Sequence, residues 1–136
     1  MPPHRVFVYG TLMAHETNHH YLRAATYLGR VRTAPRYRLF SLGSYPVLCL
    51  HGRQRVCGEV YRVSTATLRQ LDRLEEYPHY YQRTKIPTAF GPAWLYFQVQ
   101  PPVGARAIAS GDWRTVHGRF LIRFEGCPVR DWDVRE

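Results

Sequence analysis

Lysine is nearly absent from this chain: Lys85 is the only one, and the other basic residues behind its formal charge of +9 are arginines. The arginines are scattered from Arg5 to Arg135 without a run of adjacent basic residues. Scatter of this kind argues against a dedicated nucleic-acid patch. An arginine bias beside many Ala, Gly and Pro residues is also what a GC-rich genome produces. Cysteine is scarce, with only Cys49, Cys57 and Cys127 and no Cys-x-x-Cys pair. An odd number suits a reducing compartment and plain thiols better than a disulfide framework. Long apolar runs are missing too, so nothing approaches the roughly 20 residues that span a bilayer. Met1-Pro2-Pro3-His4-Arg5 is not followed by a signal-peptide core. A cytoplasmic chain with neither a nucleic-acid nor a membrane partner is expected.

What is present suits one domain with one core: 136 residues, 45% of them hydrophobic. The chain is organised around Val6-Phe7-Val8-Tyr9-Gly10-Thr11-Leu12. Four β-branched or aromatic residues read as a short buried strand, and Gly10 stops it. A glycine takes positive φ or lets another group approach the backbone. The amides of Gly10, Thr11 and Leu12 could then converge on an anion or a carbonyl oxygen. A plain strand ending in a glycine turn is the alternative.

Asn18 to Ala25 reads as a short helix capped by Thr17 or Asn18. His15 and His19 stand at i, i+4, which could share a metal, but no third ligand of matching spacing is visible and solvated or capping histidines fit as well. Extended segments are expected over Thr26 to Thr33 and Arg36 to Leu42, over Val47 to Leu50 before a turn at His51-Gly52-Arg53, and over Val56 to Val63. Gly58 inside the last points to a bulge or a barrel-closing bend. Gly43-Ser44-Tyr45-Pro46 is a loop in which the proline holds Tyr45 extended, its ring presented to a pocket.

Ser64 to Glu76 opens with a capping hydroxyl and places Leu68, Leu71 and Leu74 at helical spacing. At about 100° per residue the three leucines cover an arc of roughly 120°; Glu75 falls inside it and Glu76 outside. A glutamate on an apolar face should have its pKa pushed upward, which equips it as a general acid/base. The competing expectation is that the helix frays by Leu74 and Glu75 pairs with Arg73, Arg83 or another arginine. Beyond the helix, Tyr77 to Thr84 turns at Pro78 into a strand, its tyrosines able to line a cleft. Ala93 to Val99 is a central strand with two mostly apolar faces.

Phe-Val-Tyr-Gly-Thr-Leu at residues 7–12, Gly43-Ser44-Tyr45-Pro46, Gly58-Glu59-Val60-Tyr61, Leu71-Asp72-Arg73-Leu74-Glu75, Tyr81-Gln82-Arg83 and Ser110-Gly111-Asp112-Trp113 follow one another in this order. In these blocks the chain resembles the gamma-glutamylcyclotransferase-like family, and of its branches it looks most like gamma-glutamylamine cyclotransferase and small bacterial relatives. The resemblance implies a mixed α+β fold, a small twisted β-barrel of about six strands with short flanking helices. It implies an enzyme without metal or organic cofactor that releases 5-oxoproline from a gamma-glutamyl amine or amino acid. The α-amine attacks the γ-carbonyl of the same glutamyl group. Glu75 matches the family's catalytic glutamate, and Tyr9, Gly10, Thr11 and Leu12 match its substrate-binding loop. Tyr45 and Tyr81 are expected as pocket walls and hydrogen-bond partners. A non-catalytic small-carboxylate binder of the same fold stays open, as does an arginine-driven nucleic-acid binder. Residues 1–118 are expected to form the domain, as a monomer or weak homodimer. Residues 119–136 would be an extension, with Arg119 to Phe124 an extra strand or interface element.

Overall fold

Residues 3–116 are described by a computed structural model of the chain. The expected extension over 119–136, with its extra strand, lies outside the described residues, as does Cys127.

The fold is mixed α+β. β1 (His4–Val8), β2 (Thr26–Arg32), β5 (Cys57–Val63), β6 (Gln82–Ile86) and β7 (Ala93–Phe97) form a five-stranded sheet in the order β2-β5-β1-β7-β6. β3 (Tyr37–Ser41), β4 (Pro46–Gln54) and β8 (Arg106–Ala107) form a three-stranded sheet in the order β4-β3-β8. The two ladders share no strand. The expected six-stranded barrel is therefore corrected to eight strands in two sheets that do not close into a barrel among the described residues.

β1 lies at the centre of the larger sheet, antiparallel to β5 and parallel to β7, with Val6 opposite both Tyr61 and Trp94. Covered on both sides, it needs an apolar sequence, and Val6, Phe7, Val8 and Tyr9 are all buried. β7 is likewise interior, as its two apolar faces led one to expect. Gly58 makes no bulge: it pairs in register with Val31, and the β2–β5 irregularity falls at Tyr27 and Gly29. A Cβ at residue 58 would stand 2.5 Å from Phe7 Cζ, so the glycine is there for close packing.

Two local expectations change. His51-Gly52-Arg53 is not a turn between strands but belongs to β4, in a bulge where the ladder steps from Arg38 opposite Cys49 to Tyr37 opposite Gln54. The Gly52 amide donates to Arg36 O at 3.0 Å, and a Cβ there would lie 2.9 Å from the Tyr37 carbonyl carbon. The helix expected from Asn18 shrinks to a 3-10 turn, His19–Leu22. Asn18 is diverted: its amide donates to Thr11 O at 2.8 Å and its side-chain Nδ2 to Thr11 Oγ1 at 3.0 Å.

The one α-helix among the described residues, α1 (Thr65–Leu74), starts as expected, the Ser64 hydroxyl accepting from the Thr67 amide at 3.1 Å. It buries Leu68 and Leu71 against the core. No helix among the described residues is long and apolar enough to cross a membrane. Cys49 is a free, buried thiol, whereas Cys57 is disulfide-bonded, which corrects the expectation of plain thiols.

Candidate active site

The strand end at Gly10, the loop before β4 and the end of α1 surround one cavity of about 590 Å³. All seven residues singled out in the sequence line it: Tyr9, Gly10, Thr11, Leu12, Tyr45, Glu75 and Tyr81. They come from three separate stretches of chain, so only folding brings them together.

Gly10 is required by a close approach and not by a positive φ. A Cβ there would come within 2.7 Å of Pro46 Cδ, so the first residue of β4 crosses directly over the strand end. The following loop is tied down from several sides. The Met13 amide returns to Gly10 O at 3.0 Å, the Ala14 amide donates to Glu59 Oε1 at 2.9 Å, and Asn18 holds Thr11 as described. Among the described residues the amides of Gly10, Thr11 and Leu12 donate to no acceptor, and all three residues line the cavity.

Glu59 is the positioning residue that sequence reasoning passed over. Fully buried in β5, it accepts from the Ala14 amide and from the Tyr61 hydroxyl (2.9 Å), and Arg30 Nη2 stands 3.4 Å from Oε2. Its signal was a lone glutamate within the apolar run of β5, where a buried charge demands partners. The late Ser110-Gly111-Asp112-Trp113 block has a related bracing role. Gly111 O accepts from the Cys57 amide at 2.8 Å, and Trp113 Nε1 donates to Glu16 Oε1 at 3.3 Å, pinning the loop after β1 from below.

α1 ends in a way that separates two adjacent carboxylates. Glu75 is the C-cap, and Glu76 takes the left-handed conformation with φ 54°. The Glu76 amide donates to Arg73 O (3.1 Å) and the Tyr77 amide to Asp72 O (2.9 Å), the paired bonds of a Schellman ending. Glu75 is thereby kept under the helix and half-buried, while Glu76 is exposed. Burial pushes the Glu75 carboxyl up to about 7.

The expected competition from arginine is resolved by Asp72. Arg83 donates from Nε to Asp72 Oδ1 at 2.8 Å and from Nη2 to Oδ2 at 3.2 Å. Its guanidinium is stacked between Tyr77 and Trp94, 4.5 and 4.2 Å from the ring centroids. Among the described residues, no ion pair reaches Glu75.

The tyrosines divide by role. Tyr9 donates its hydroxyl to Tyr96 O at 2.7 Å, and Tyr81 to Pro46 O at 2.7 Å. Burial holds both phenols well above their ordinary range, so they stay neutral. Tyr81 lines the cavity with its proton given to the Pro46 carbonyl, which leaves its hydroxyl oxygen as an acceptor. Tyr45 pairs hydroxyl to hydroxyl with Tyr80 at the mouth, and this bond pushes the Tyr45 phenol up to about 12.

A cavity of mixed polar and apolar lining, a carboxyl raised toward neutrality and a row of spare amides together suit an amide-bond rearrangement. Comparison with known proteins points the same way. Residues 6–115 match the family model described as gamma-glutamyl cyclotransferase, AIG2-like. A Vibrio cholerae protein provisionally named a gamma-glutamylcyclotransferase is 49% identical over 110 residues, 81% of this chain and 95% of that one. The gamma-glutamylcyclotransferase family protein YtfP of Escherichia coli K12 is 42% identical over 109 residues, 80% of this chain and 95% of its own. The crystal structure of a mouse AIG2-like protein superposes with a TM-score of 0.73 at 25% identity, covering 96% of this chain and 100% of that one. Because the family match spans the first strand, the cavity and the bracing block alike, the chain belongs to the AIG2-like gamma-glutamylcyclotransferase family.

Proposed function

We propose that this chain is a cyclotransferase that releases 5-oxoproline from a gamma-glutamyl amine or gamma-glutamyl amino acid. Glu75 acts as the general acid/base. One observation carries the reading: the Glu75 carboxyl is half-buried, stands in no ion pair among the described residues, and is raised to about 7 in the wall of a cavity it shares with the Gly10 loop.

The chemistry follows from that placement. The substrate's α-ammonium gives a proton to the Glu75 carboxylate, and the free amine attacks the γ-carbonyl carbon of the same glutamyl group. A C–N bond forms, and the five-membered ring closes with the carbonyl oxygen drawn out as an oxyanion. Glu75 returns the proton to the original γ-amide nitrogen, whose C–N bond breaks as the carbonyl reforms, and the second proton that the ring nitrogen sheds passes to the departing amine, which leaves as its ammonium. One amide replaces another, so no oxidant, metal or water enters the balance. The amides of Gly10, Thr11 and Leu12 are the donors offered to the glutamyl carboxylate or to the oxyanion. The rings of Tyr45 and Tyr81 confine the glutamyl chain in the curled shape that ring closure needs. Tyr9 and Tyr81, both neutral, leave the proton traffic to Glu75.

The test is direct. Purified protein incubated with gamma-glutamyl amines, gamma-glutamyl amino acids and glutathione should release 5-oxoproline from at least one class. Release from none, alongside measurable ligand binding, would favour a carboxylate-binding protein and reject the enzyme.

A further inference from the structure

The cavity has the opposite charge from the chain that builds it. The sequence holds 19 Lys and Arg against 10 Asp and Glu, yet among the described residues no Arg, Lys or His lines the cavity, and its charged residues there are Glu75 and Glu76. A glutamyl compound brings a carboxylate of its own into this space, where only backbone amides and neutral side chains receive it. The net field in the pocket is therefore unfavourable to any substrate whose departing half is also anionic.

Glu76 lines the exposed side of the pocket. Glu75 is half-buried beside the buried Tyr81, whereas Glu76 and Tyr80 are exposed. A substrate with its reacting carbonyl at Glu75 would carry the substituent on the departing nitrogen outward past Glu76, Tyr45 and Tyr80. The backbone of Glu76 is fixed there: its carbonyl accepts from the His79 amide at 2.7 Å and the Tyr80 amide at 2.8 Å. Glu76 is exposed and lines the cavity together with Tyr45 and Tyr80, so its negative charge belongs to the open side of the pocket. Phenol faces beside a carboxylate make a site for an ammonium, and the C-terminal end of α1 adds partial negative charge on the same side.

We propose that Glu76 is a specificity-determining residue that selects gamma-glutamyl conjugates whose leaving amine carries a second, positively charged nitrogen, as an aliphatic diamine does. This rests on the cyclotransferase reading. A departing amino acid would carry its carboxylate past Glu76; a departing diamine carries an ammonium to it.

Three conjugates of matched length separate the possibilities: gamma-glutamyl-1,4-diaminobutane, gamma-glutamyl-n-pentylamine and gamma-glutamyl-5-aminopentanoate. The kcat/KM for 5-oxoproline release should fall in that order, by about tenfold between the diamine and the neutral amine, mostly through KM. The diamine-to-pentylamine ratio should drop toward one in Glu76→Gln and survive in Glu76→Asp. It should also shrink as salt rises from about 0.05 to about 0.5 M, because the charge at the mouth is exposed. Because the ratio is taken within one variant, a general loss of activity cancels. An unchanged ratio in Glu76→Gln, or equal rates for all three, overturns the proposal and leaves the cyclotransferase standing. Calorimetric binding of the same conjugates to Glu75→Gln protein reads the same order without turnover. No 5-oxoproline from any conjugate together with that binding order would remove the reaction and keep the charge selection.

Discussion

Arg83 grips Asp72 through two hydrogen bonds of 2.8 and 3.2 Å, so an arginine that the sequence offers as a partner for Glu75 is held instead one turn back along the helix. The Tyr96 hydroxyl donates to the same Asp72 oxygen at 2.6 Å, so this carboxylate closes a network between α1, β6 and β7. With side-chain exposures of 15% and 19%, the pair is half-desolvated, and removing one partner strands the other. Asp72→Asn should cost about 1–3 kcal/mol in urea unfolding. It also frees the guanidinium, so the acid limb of the activity profile should move below 7. An unshifted limb would mean that Arg83 has no path to Glu75.

Activity should depend on pH through Glu75. As the base, it must be ionised to accept the ammonium proton, so kcat/KM should rise with pH through a midpoint near 7. The phenols packed around it, Tyr9, Tyr81 and Tyr96, are all raised by burial and contribute no ionisation in this range. A profile that is flat between about pH 5 and pH 8 would contradict the assignment.

The same carboxyl should weaken the fold at high pH. Its folded pKa, about 7, lies above the ordinary 4.5, so the folded state binds the proton more tightly. Its contribution is most favourable below 4.5, is lost as pH rises, and levels off above 7. Allowing for partial exposure, the loss is on the order of 2 kcal/mol. Glu75→Gln should therefore raise the Tm at pH 8 and change it little at pH 4.5, measured by calorimetry at both.

Gly10→Ala should damage fold and site together. The new methyl would meet the Pro46 ring, which is held by its place in β4 and by the Tyr81 hydroxyl on its carbonyl. A cost of about 1–3 kcal/mol is expected from overpacking. Activity should fall with it, because the Pro46 crossing sets the width of the pocket. Stability and activity equal to those of the parent would show that the two segments separate easily.

Glu76→Gly should act in the other direction on stability. Glycine takes the left-handed conformation at a helix end without the Cβ penalty, so a gain of about 0.5–1 kcal/mol is expected by urea unfolding, offset in part by the freer unfolded chain. The same change removes the charge at the mouth. Greater stability together with a lost preference for cationic leaving amines would mark Glu76 as strained in favour of function.

The parts of the site that were legible in the sequence are those set by local periodicity. Ser64 and the leucine spacing fix where α1 begins and which face it buries, and from these Glu75 falls on the apolar arc. Val6 to Tyr9 likewise could only be an interior strand. What could not be read depends on contacts between distant segments. Gly10 looks the same in sequence whether it serves a positive φ or the Pro46 crossing. The hydroxyls of Tyr9 and Tyr81 are committed to backbone carbonyls that no spacing reveals. Asn18 reads as a helix cap until Thr11 is folded against it. Sheet closure, too, depends on whether β3 and β4 pair with β8 or with the larger sheet, which propensity does not encode.

The central claim is that one carboxyl moves the proton, and the rate of 5-oxoproline release by Glu75→Gln against the parent tests it most directly. With the fold verified by calorimetry and a helix-surface variant such as Arg69→Gln as control, Glu75→Gln should lose about 10²–10⁴ in kcat. A Glu75→Gln protein that releases 5-oxoproline within about twofold of the parent would contradict the account.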